Sequence, residues 1–382
     1  MPQHLHRRGF IQASAAAAGA IAAAGLPGAA QAATAAARIE APEVDRLVLL
    51  NVLDTNHDIF ISGAQAGDVA VERTRRSPPD KRNRTLDGQW GLSLHLTSTK
   101  GGETRRYLLD FGYTAAALNN NIDLLGIDAA ALDGLILSHG HADHFGGLVG
   151  FLKEHRAKMR PAIKLYTGGE DVFCHRRLSE TDGSFSEGGV LDRREIAAAK
   201  VDLVLSETPV VIDGHPFTTG AVPRVSLEKM LPNTLVERGV KDGVGCDVSH
   251  YQGSVHFTPE ELAGKPVPDQ HWHEHATCFR VKDRGLVVIT SCGHCGVINT
   301  LKRAQEITGV EKIHALVGGF HLAPAPPDYL AQIMAELKKF DIDHLIPMHC
   351  SGSNFIEMAK RDMPEKLVLC TTGSRFTFGA QA

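Results

Sequence analysis

Three histidines and one aspartate lie within six residues, in the segment HGHADH. They are His139, His141, Asp143 and His144. Imidazole nitrogens and carboxylate oxygens are ligands that Zn²⁺ and similar divalent cations prefer in proteins. A solvated polar loop is the alternative interpretation, but it does not explain why these side chains stand between two apolar segments. The pattern therefore predicts a metal-binding turn.

The segments on either side of this turn predict how it is positioned. LDGLILS at 132–138 is a continuous apolar run typical of a buried strand, and 145–155 has helical spacing. In an extended chain the rings of His139 and His141 project to the same side. We therefore expect the four polar side chains to lie where a strand ends and a helix begins.

Strands and helices alternate over most of the remaining sequence. Apolar runs and period-two patterns predict strands at 46–54, 91–98, 105–112, 162–166, 201–205, 276–282, 285–291, 313–319 and 344–350, and a further helix at about 328–340. The region from about 170 to 275 is rich in Gly, Pro and His and has weak periodicity, which predicts loops and insertions over one end of the sheets. Together these patterns predict a layered α/β protein.

The N-terminal segment has the features of an export signal. Arg7 and Arg8 precede an Ala-rich apolar run, and Ala30-Gln31-Ala32 is a small-residue cleavage pattern. We interpret residues 1–32 as a twin-arginine signal, 33–45 as a linker and 46–382 as the mature domain. An uncleaved anchor or a disordered tail is the alternative. The signal predicts a partner, the twin-arginine export machinery, and a periplasmic location, with no stable membrane span after cleavage.

Charge and motifs narrow the class of partner. Removal of residues 1–32 deletes two arginines and no acids, so the formal net charge changes from −4 to −6. A mildly acidic chain without a long basic run argues against nucleic-acid binding. The sequence contains neither a G-x-x-x-x-G-K-[ST] phosphate loop nor a G-x-S-x-G nucleophile elbow. We therefore expect a small-molecule substrate.

Several motifs resemble one known family. HGHADH fits the H-x-H-x-D-H signature of the metallo-β-lactamase superfamily, and LLDFG at 108–112 is similar to its Asp-Thr-Gly turn, with Phe111 in place of Thr. Five further segments resemble one branch of that superfamily, which includes the dihydropterin-ribofuranosyl-aminobenzene phosphate synthases. They are GLS (91–93), TGAVPR (219–224), SCGHCGVINT (291–300), GGFHL (318–322) and PMHCSG (347–352). The resemblance covers roughly 45–378. It implies an α/β fold, the αβ/βα four-layer sandwich, with metals at the sheet edges.

The resemblance also implies a ligand set for two cations. His139, His141 and His294 would hold one, and the other would be held by Asp143, His144 and His349. Zn²⁺ is the expected metal, with iron or manganese as alternatives. Cys292 stands where the bridging acid of better-known members lies. His321 in GGFHL, and His275 in HWHEH (271–275), are the other candidates for that position.

This ligand set predicts hydrolytic chemistry. A bound cation lowers the pKa of water from 15.7 toward ~7 and polarises the substrate oxygen. The bond broken would belong to an ester, a lactone, a phosphoester or a related group. Asp143 would orient the resulting hydroxide and accept its proton, and His321 would protonate the leaving group or stabilise the oxyanion. Arg224, near Glu228, would contact an anionic substrate group, with a surface ion pair as the alternative.

Two other functions compete with hydrolysis. Cys292 and Cys295 form a C-x-x-C pair after a strand, as in thiol–disulfide oxidoreductases, although Ser291 stands where those proteins have an aromatic residue. A non-catalytic metal sensor on the same fold is the third possibility, disfavoured by the intact ligand set. The seven cysteines are odd in number, so at least one thiol should be free in a monomer.

The proposed ligands predict an acid limit on activity. Ligand histidines must be neutral, and imidazoles protonate near ~6.5, so the rate should collapse below about pH 6. The rate measured from pH 8 to pH 5 tests this. An unchanged rate over that range would contradict the metal-site interpretation.

Overall fold

The computed structural model describes residues 38–180, 182–230, 234–251 and 257–380. The predicted export signal, residues 1–32, and the first part of the predicted linker lie outside these ranges. Among the described residues, no helix combines the length and the apolar character needed to cross a membrane.

Strands and helices follow one another along the whole described chain. The strands are β1 (Glu43–Val44), β2 (Arg46–Leu53), β3 (Ala64–Ala66), β4 (Val69–Arg73), β5 (Ser93–Lys100), β6 (Glu103–Leu109), β7 (Gly134–Leu137), β8 (Lys164–Thr167), β9 (His175–Ser179), β10 (Phe185–Glu187), β11 (Asp202–Leu205), β12 (Phe217–Thr218), β13 (Thr234–Glu237), β14 (Val240–Lys241), β15 (Val244–Gly245), β16 (Val267–Pro268), β17 (Thr277–Val281), β18 (Gly285–Thr290), β19 (Ile313–Gly319), β20 (Ile342–Met348) and β21 (Ser374–Gly379). The α-helices are α1 (Ala115–Leu124), α2 (Ala142–Phe145), α3 (Leu148–His155), α4 (Arg193–Ala198), α5 (Pro259–Leu262), α6 (Val297–Thr308), α7 (Pro327–Leu337) and α8 (Ser353–Asp362). Short 3₁₀ helices occupy Pro79–Lys81, Ala129–Ala131, Arg156–Lys158, Glu170–Phe173, Val248–Tyr251 and His349–Ser351.

Two large mixed sheets form the centre of the fold. The nine-stranded sheet has the order β11-β8-β7-β6-β5-β2-β21-β4-β3, and β6, β7, β8 and β11 are parallel. The six-stranded sheet has the order β1-β17-β18-β19-β20, with β12 also paired to β17, and β18, β19 and β20 are parallel. Parallel strands in each sheet end at a common edge, so the loops that follow them lie together.

Apolar side chains fill the space between the sheets and the space outside them. Leu49 and Phe376 of the larger sheet pack with Phe279 and Val317 of the smaller one in a single core. A second core joins the outer face of the larger sheet to α1 and α3. Helix α6 contacts β18 and α7, and α7 contacts α8, on the smaller sheet. Helices therefore cover both sheets, and the predicted α/β four-layer sandwich is confirmed.

The sequence predicts one continuous helix at 145–155, but in the structure the helix is interrupted after Phe145. Helix α2 ends at Phe145, and α3 begins only at Leu148. A Cβ atom on Gly147 would lie 2.1 Å from the carbonyl oxygen of Phe111, so the backbone here packs directly against the turn that follows β6. That close approach separates the short helix carrying Asp143 from the longer one.

The region 170–275 was predicted as loops, but it holds regular structure. A four-stranded antiparallel sheet has the order β10-β9-β13-β16, β14 and β15 form a hairpin, and a disulfide joins Cys174 to Cys246. These strands are two to five residues long, too short for period-two patterning to be visible in sequence. The predicted linker at 33–45 also ends in a strand, β1, whose Val44 is fully buried.

Candidate metal centre

Three histidine rings converge where β7 and β18 end. Ligand nitrogens of His139, His141 and His294 all lie within 4.8 Å of one another. Both His139 and His294 are buried, and the Nε2 atom of each lacks a hydrogen-bond partner. Buried polar atoms are almost always satisfied in folded proteins, so these nitrogens fit a shared cation. We call His139, His141 and His294 the first trio.

A second group of ligands lies beside the first. His144 Nε2 is 3.3 Å from His349 Nε2, and Asp143 Oδ2 is 3.1 Å from the same His349 atom. Asp143 Oδ2 is also 3.7 Å from His144 Nε2. We call Asp143, His144 and His349 the second trio. Two imidazole nitrogens and a carboxylate oxygen directed at one point match a divalent-cation site.

Asp110 fixes the orientation of one ring from each trio. His144 Nδ1–H donates to Asp110 Oδ2 at 2.8 Å, which leaves Nε2 free to bind. The Ser138 hydroxyl also donates to this carboxylate, at 2.7 Å, and therefore accepts from His139 Nδ1–H at 2.9 Å. Both rings thus present an unprotonated Nε2 toward the cluster, the arrangement that orients metal-ligand histidines.

A buried charged network holds the backbone between His139 and His141. The Gly140 N–H donates to His273 Nε2 at 2.9 Å, and Arg176 donates to the Gly140 carbonyl at 3.3 Å. His273 Nδ1 in turn lies 3.1 Å from Asp171, and Arg176 is fully buried with its Nε 2.7 Å from Asp269. The four-stranded sheet carries Arg176, so this region supports the metal-binding turn directly.

The segment HWHEH does not place its three histidines on one face, as a strand would. Residues 271–275 form a turn rather than a strand. His273 belongs to the network around Gly140, and His275 Nε2 lies 3.1 Å from the Leu137 carbonyl. His271 alone joins the cluster. Its Nε2 is 3.2 Å from His141 Nε2, and its ring stacks on His294 at 4.0 Å between centroids.

Cys292 lies between the two trios. It forms one compact group of ligand atoms with His139 and His144, and another with His294 and His321. Its Sγ is 3.5 Å from His321 Nδ1 and 3.2 Å from Cys350 Sγ. Of the three candidates for the bridging position, Cys292 is the one that adjoins a ligand of each trio. His321 packs on the His294 ring at 4.1 Å.

Arg224 and Glu228 have contacts that sequence reasoning did not foresee. Arg224 donates to the carbonyls of Val222 and Gln270, and its guanidinium lies 5.2 Å from the Trp272 ring centroid. It therefore anchors the backbone just before His271. Glu228 accepts from the Asn299 N–H at 3.0 Å, at the start of α6, so it caps that helix. These contacts differ from the surface ion pair that was the alternative interpretation.

Backbone hydrogen bonds to a buried carboxylate hold the turn that carries His294. The two carboxylate oxygens of Glu274 accept from the N–H groups of His294, at 3.1 Å, and Cys295, at 2.6 Å.

Backbone strain also concentrates around the cluster, because Asp110, His271, His321 and His349 all have φ between 48° and 59°. Such conformations cost energy in residues other than glycine and cluster at functional sites.

Comparisons with known proteins agree with this geometry. The metallo-beta-lactamase superfamily profile matches residues 100–217, which include the HGHADH turn. A protein of Methanocaldococcus jannaschii named 7,8-dihydropterin-6-methyl-4-(beta-D-ribofuranosyl)-aminobenzene-5'-phosphate synthase is 25% identical over 296 residues, which cover 72% of this chain and 86% of that protein. A crystal structure described as a metal-dependent hydrolase of the beta-lactamase superfamily superposes with a TM-score of 0.61 at 19% identity, over 88% of this chain and 100% of that one. The chain therefore has the fold of the metallo-β-lactamase superfamily and is similar to it in sequence over residues 100–217.

This similarity supports a coarse function for the cluster. The superfamily is enzymatic, typically binds divalent metals and supports a metal-dependent, hydrolase-like activity. A second Methanocaldococcus jannaschii relative, uncharacterized protein MJ0448, is 27% identical over 252 residues, which cover 65% of this chain and 80% of that protein. The named relative of the same organism is a synthase, so the similarity does not specify the reaction.

The electrostatics of this site favour cations. Burial, and then the neighbouring imidazoles, hold the pKa of His139, His141 and His294 well below the ordinary value, so these rings stay neutral. The acid limit of about pH 6 that the ordinary value predicts therefore moves to lower pH for this trio. Burial lowers the pKa of His349, but Cys350 and Asp143 raise it further, to about 9. The first trio therefore offers lone pairs, and the second attracts positive charge.

Asp110→Asn should weaken metal binding without removing a ligand. Asp110 Oδ1 accepts from the Ser138 N–H, and Oδ2 accepts from the Ser138 hydroxyl and His144 Nδ1–H. An amide has only one accepting oxygen, so the bonds on one of the two sides are lost and the rings are held less firmly. Loss of such a supporting carboxylate lowers metal affinity by roughly 10–100-fold. Competition with a chromophoric chelator measures the change.

Asp133→Asn is the matched control for that experiment. Asp133 is also buried and lies at the opposite end of β7, where it accepts from the Arg106 N–H at 2.7 Å. Its replacement should leave metal affinity unchanged. Equal affinities for wild type and Asp110→Asn would contradict the orienting role of Asp110.

Proposed function

We propose that this protein is a metal-dependent hydrolase that holds two divalent cations, with Zn²⁺ as the metal, and cleaves an ester, a lactone, a phosphoester or a related bond in a small molecule. One observation carries the proposal: two adjacent trios direct imidazole nitrogens and a carboxylate into one buried space, with Nε2 of both His139 and His294 unpaired. When bound, such a cation lowers the pKa of coordinated water and polarises a substrate oxygen.

The chain's own residues supply the rest of the chemistry. Burial raises the pKa of Asp143, but His144 and His349 lower it further, so the carboxylate stays ionised. Its Oδ2 lies at the cluster, where it can orient an attacking water and accept its proton. His321 lines a depression beside His294 and is placed to donate a proton to the leaving group.

Two features of the surface beside the cluster bear on the class of substrate. Trp90 is 55% exposed and its ring centroid lies 4.8 Å from that of His349, so it forms an aromatic wall beside the second trio. On the other side, the depression near His294 is also lined by Lys229 and Tyr329. An apolar surface on one side and a cation on the other suit a small molecule with a flat ring and an anionic group.

A synthase reaction at the same centre is the second candidate. The name of the Methanocaldococcus jannaschii relative favours it. A synthase would join two reactants and would show little turnover of a single hydrolysable compound. The screen described below separates the two reactions, since it supplies single substrates in water.

Thiol–disulfide exchange receives less support from the site. Burial raises the pKa of both Cys292 and Cys295 well above the ordinary value, whereas exchange centres need a lowered one. The Cys295 thiol donates to the His271 carbonyl at 3.4 Å, and Cys292 lies against Cys350 instead. The two residues of the C-x-x-C pair therefore have different neighbours. A non-catalytic sensor is disfavoured by the complete set of ligands.

The hydrolase proposal is tested with purified protein and a panel of chromogenic esters, lactones and phosphodiesters. We expect turnover of at least one compound, its loss after chelation and its recovery with Zn²⁺. His139→Ala and His294→Ala should both reduce the rate to background, because each removes a ligand of the first trio. His250→Ala is the control, since His250 is exposed and outside the cluster. Turnover that survives chelation and both variants would contradict the proposal.

We also propose that the protein is exported by the twin-arginine machinery and acts in the periplasm. The support is the Arg7-Arg8 pair, the apolar run and the cleavage pattern at Ala30–Ala32. The Cys174–Cys246 disulfide is consistent with an oxidising compartment.

Export is tested by fractionation of a bacterium with a functional twin-arginine system. Wild-type protein should appear in the periplasm, shortened by about the length of the signal. Lys at both Arg7 and Arg8 should keep the full-length chain in the cytoplasm, since the paired arginines are the recognised feature. Periplasmic recovery of that double variant would contradict the proposed route.

A further inference from the structure

A second group of potential ligands lies at the far end of the smaller sheet. His314 and His344 are near the N-terminal ends of β19 and β20, whereas His321 and His349 follow the C-terminal ends of the same strands. Strands of seven residues separate the two ends by roughly 20 Å. The group is therefore distinct from the two trios.

Its geometry is that of a three-ligand site. One ligand atom from each of Asp68, His314 and His344 lies within 4.8 Å of the others. His344 Nε2 is 3.2 Å from Asp68 Oδ1, and His314 Nε2 is 3.8 Å from Asp68 Oδ2. The two rings meet edge to face, with centroids 5.3 Å apart.

His314 gives the strongest indication that this group binds something. Its side chain is buried, and its Nδ1–H donates to Asp343 Oδ2 at 3.0 Å. Its Nε2 therefore carries a lone pair, has no hydrogen-bond partner and faces the carboxylate of Asp68. Arg284 lies beside the Asp68 carboxylate, but no donor reaches the lone pair of His314 Nε2, and a cation between the two groups would pair with both. An Asp–His pair that directs the other imidazole nitrogen toward a carboxylate is the arrangement found around bound metals.

We propose that Asp68, His314 and His344 form an additional divalent-cation site of the Zn²⁺ class, with water completing the coordination. Two imidazoles and one carboxylate are a ligand set that such cations accept. Asp343 orients His314, and Arg284, whose Nε lies 2.9 Å from Asp68 Oδ2, holds the carboxylate in place.

The site would have a structural role. Asp68 lies in the turn between β3 and β4 of the larger sheet, and both histidines belong to the smaller sheet. A Cβ atom on Gly67, which has a φ of 54°, would lie 3.2 Å from His344, so the turn packs directly on that ring. A cation bound here joins the two sheets, and because it binds only the folded state it raises stability.

Metal stoichiometry tests the proposal without reference to catalysis. The full chain is stripped with a chelator, dialysed against Zn²⁺ and assayed for bound metal by mass spectrometry. Asp68→Asn and His344→Gln should each bind one equivalent less than wild type. Glu72→Gln is the matched control, because this carboxylate lies on β4 with its side chain 72% exposed, and should bind as many equivalents as wild type.

A second background separates this site from the two trios. In a background with ligands removed from both trios (His139→Ala, His294→Ala, His144→Ala and His349→Ala), the chain should still bind one tight equivalent of Zn²⁺, and should lose it when His344→Gln is added. Zn²⁺ should also raise the melting temperature of that background by a few degrees, and the increment should vanish with His344→Gln. Equal metal content with and without His344→Gln would overturn the proposal. Failure of the hydrolase assay leaves these outcomes unaffected.

Discussion

The histidine cluster depends on imidazole nitrogens that are buried and directed at one another. Nε2 atoms of His144 and His349 approach to 3.3 Å, and those of His141 and His271 to 3.2 Å. Imidazoles packed this closely are costly to bury unless a positive charge lies between them, either a divalent cation or a proton on His349, whose pKa is raised to about 9. Hydrogen bonds to the opposite ring nitrogen orient two rings of the cluster, His144 through Asp110 and His139 through Ser138, which itself donates to Asp110.

The chain meets this requirement with elements from distant parts of the sequence. Strands β6 and β7 deliver Asp110 and the HGHADH turn from one sheet, and β18, β19 and β20 deliver Cys292, His321 and His349 from the other. The small sheet of the 170–275 region adds Arg176, and the turn that follows it adds His271 and His273. This region is therefore part of the support of the metal-binding turn, in addition to any contact it makes with substrate.

Sequence patterning predicts the fold and the centre of the site well, for identifiable reasons. Long apolar runs predict β2, β18 and β19, and the dense HGHADH motif marks the end of β7. The role of His271 was missed because it requires a turn with φ of 50°, where strand alternation predicted three equivalent rings. Arg224 and Glu228 were expected at a substrate or on the surface. Their bonds to the Gln270 carbonyl and to the start of α6 arise only from tertiary packing, which local spacing does not encode.

X-ray absorption at the zinc edge of the loaded protein tests the central claim most directly. The account predicts a first shell of nitrogen and oxygen at about 2.0–2.1 Å, with the outer-shell scattering of several imidazoles per ion. A single sulfur ligand, from Cys292, would be compatible with that result. A first shell dominated by sulfur at about 2.3 Å, without imidazole scattering, would contradict it.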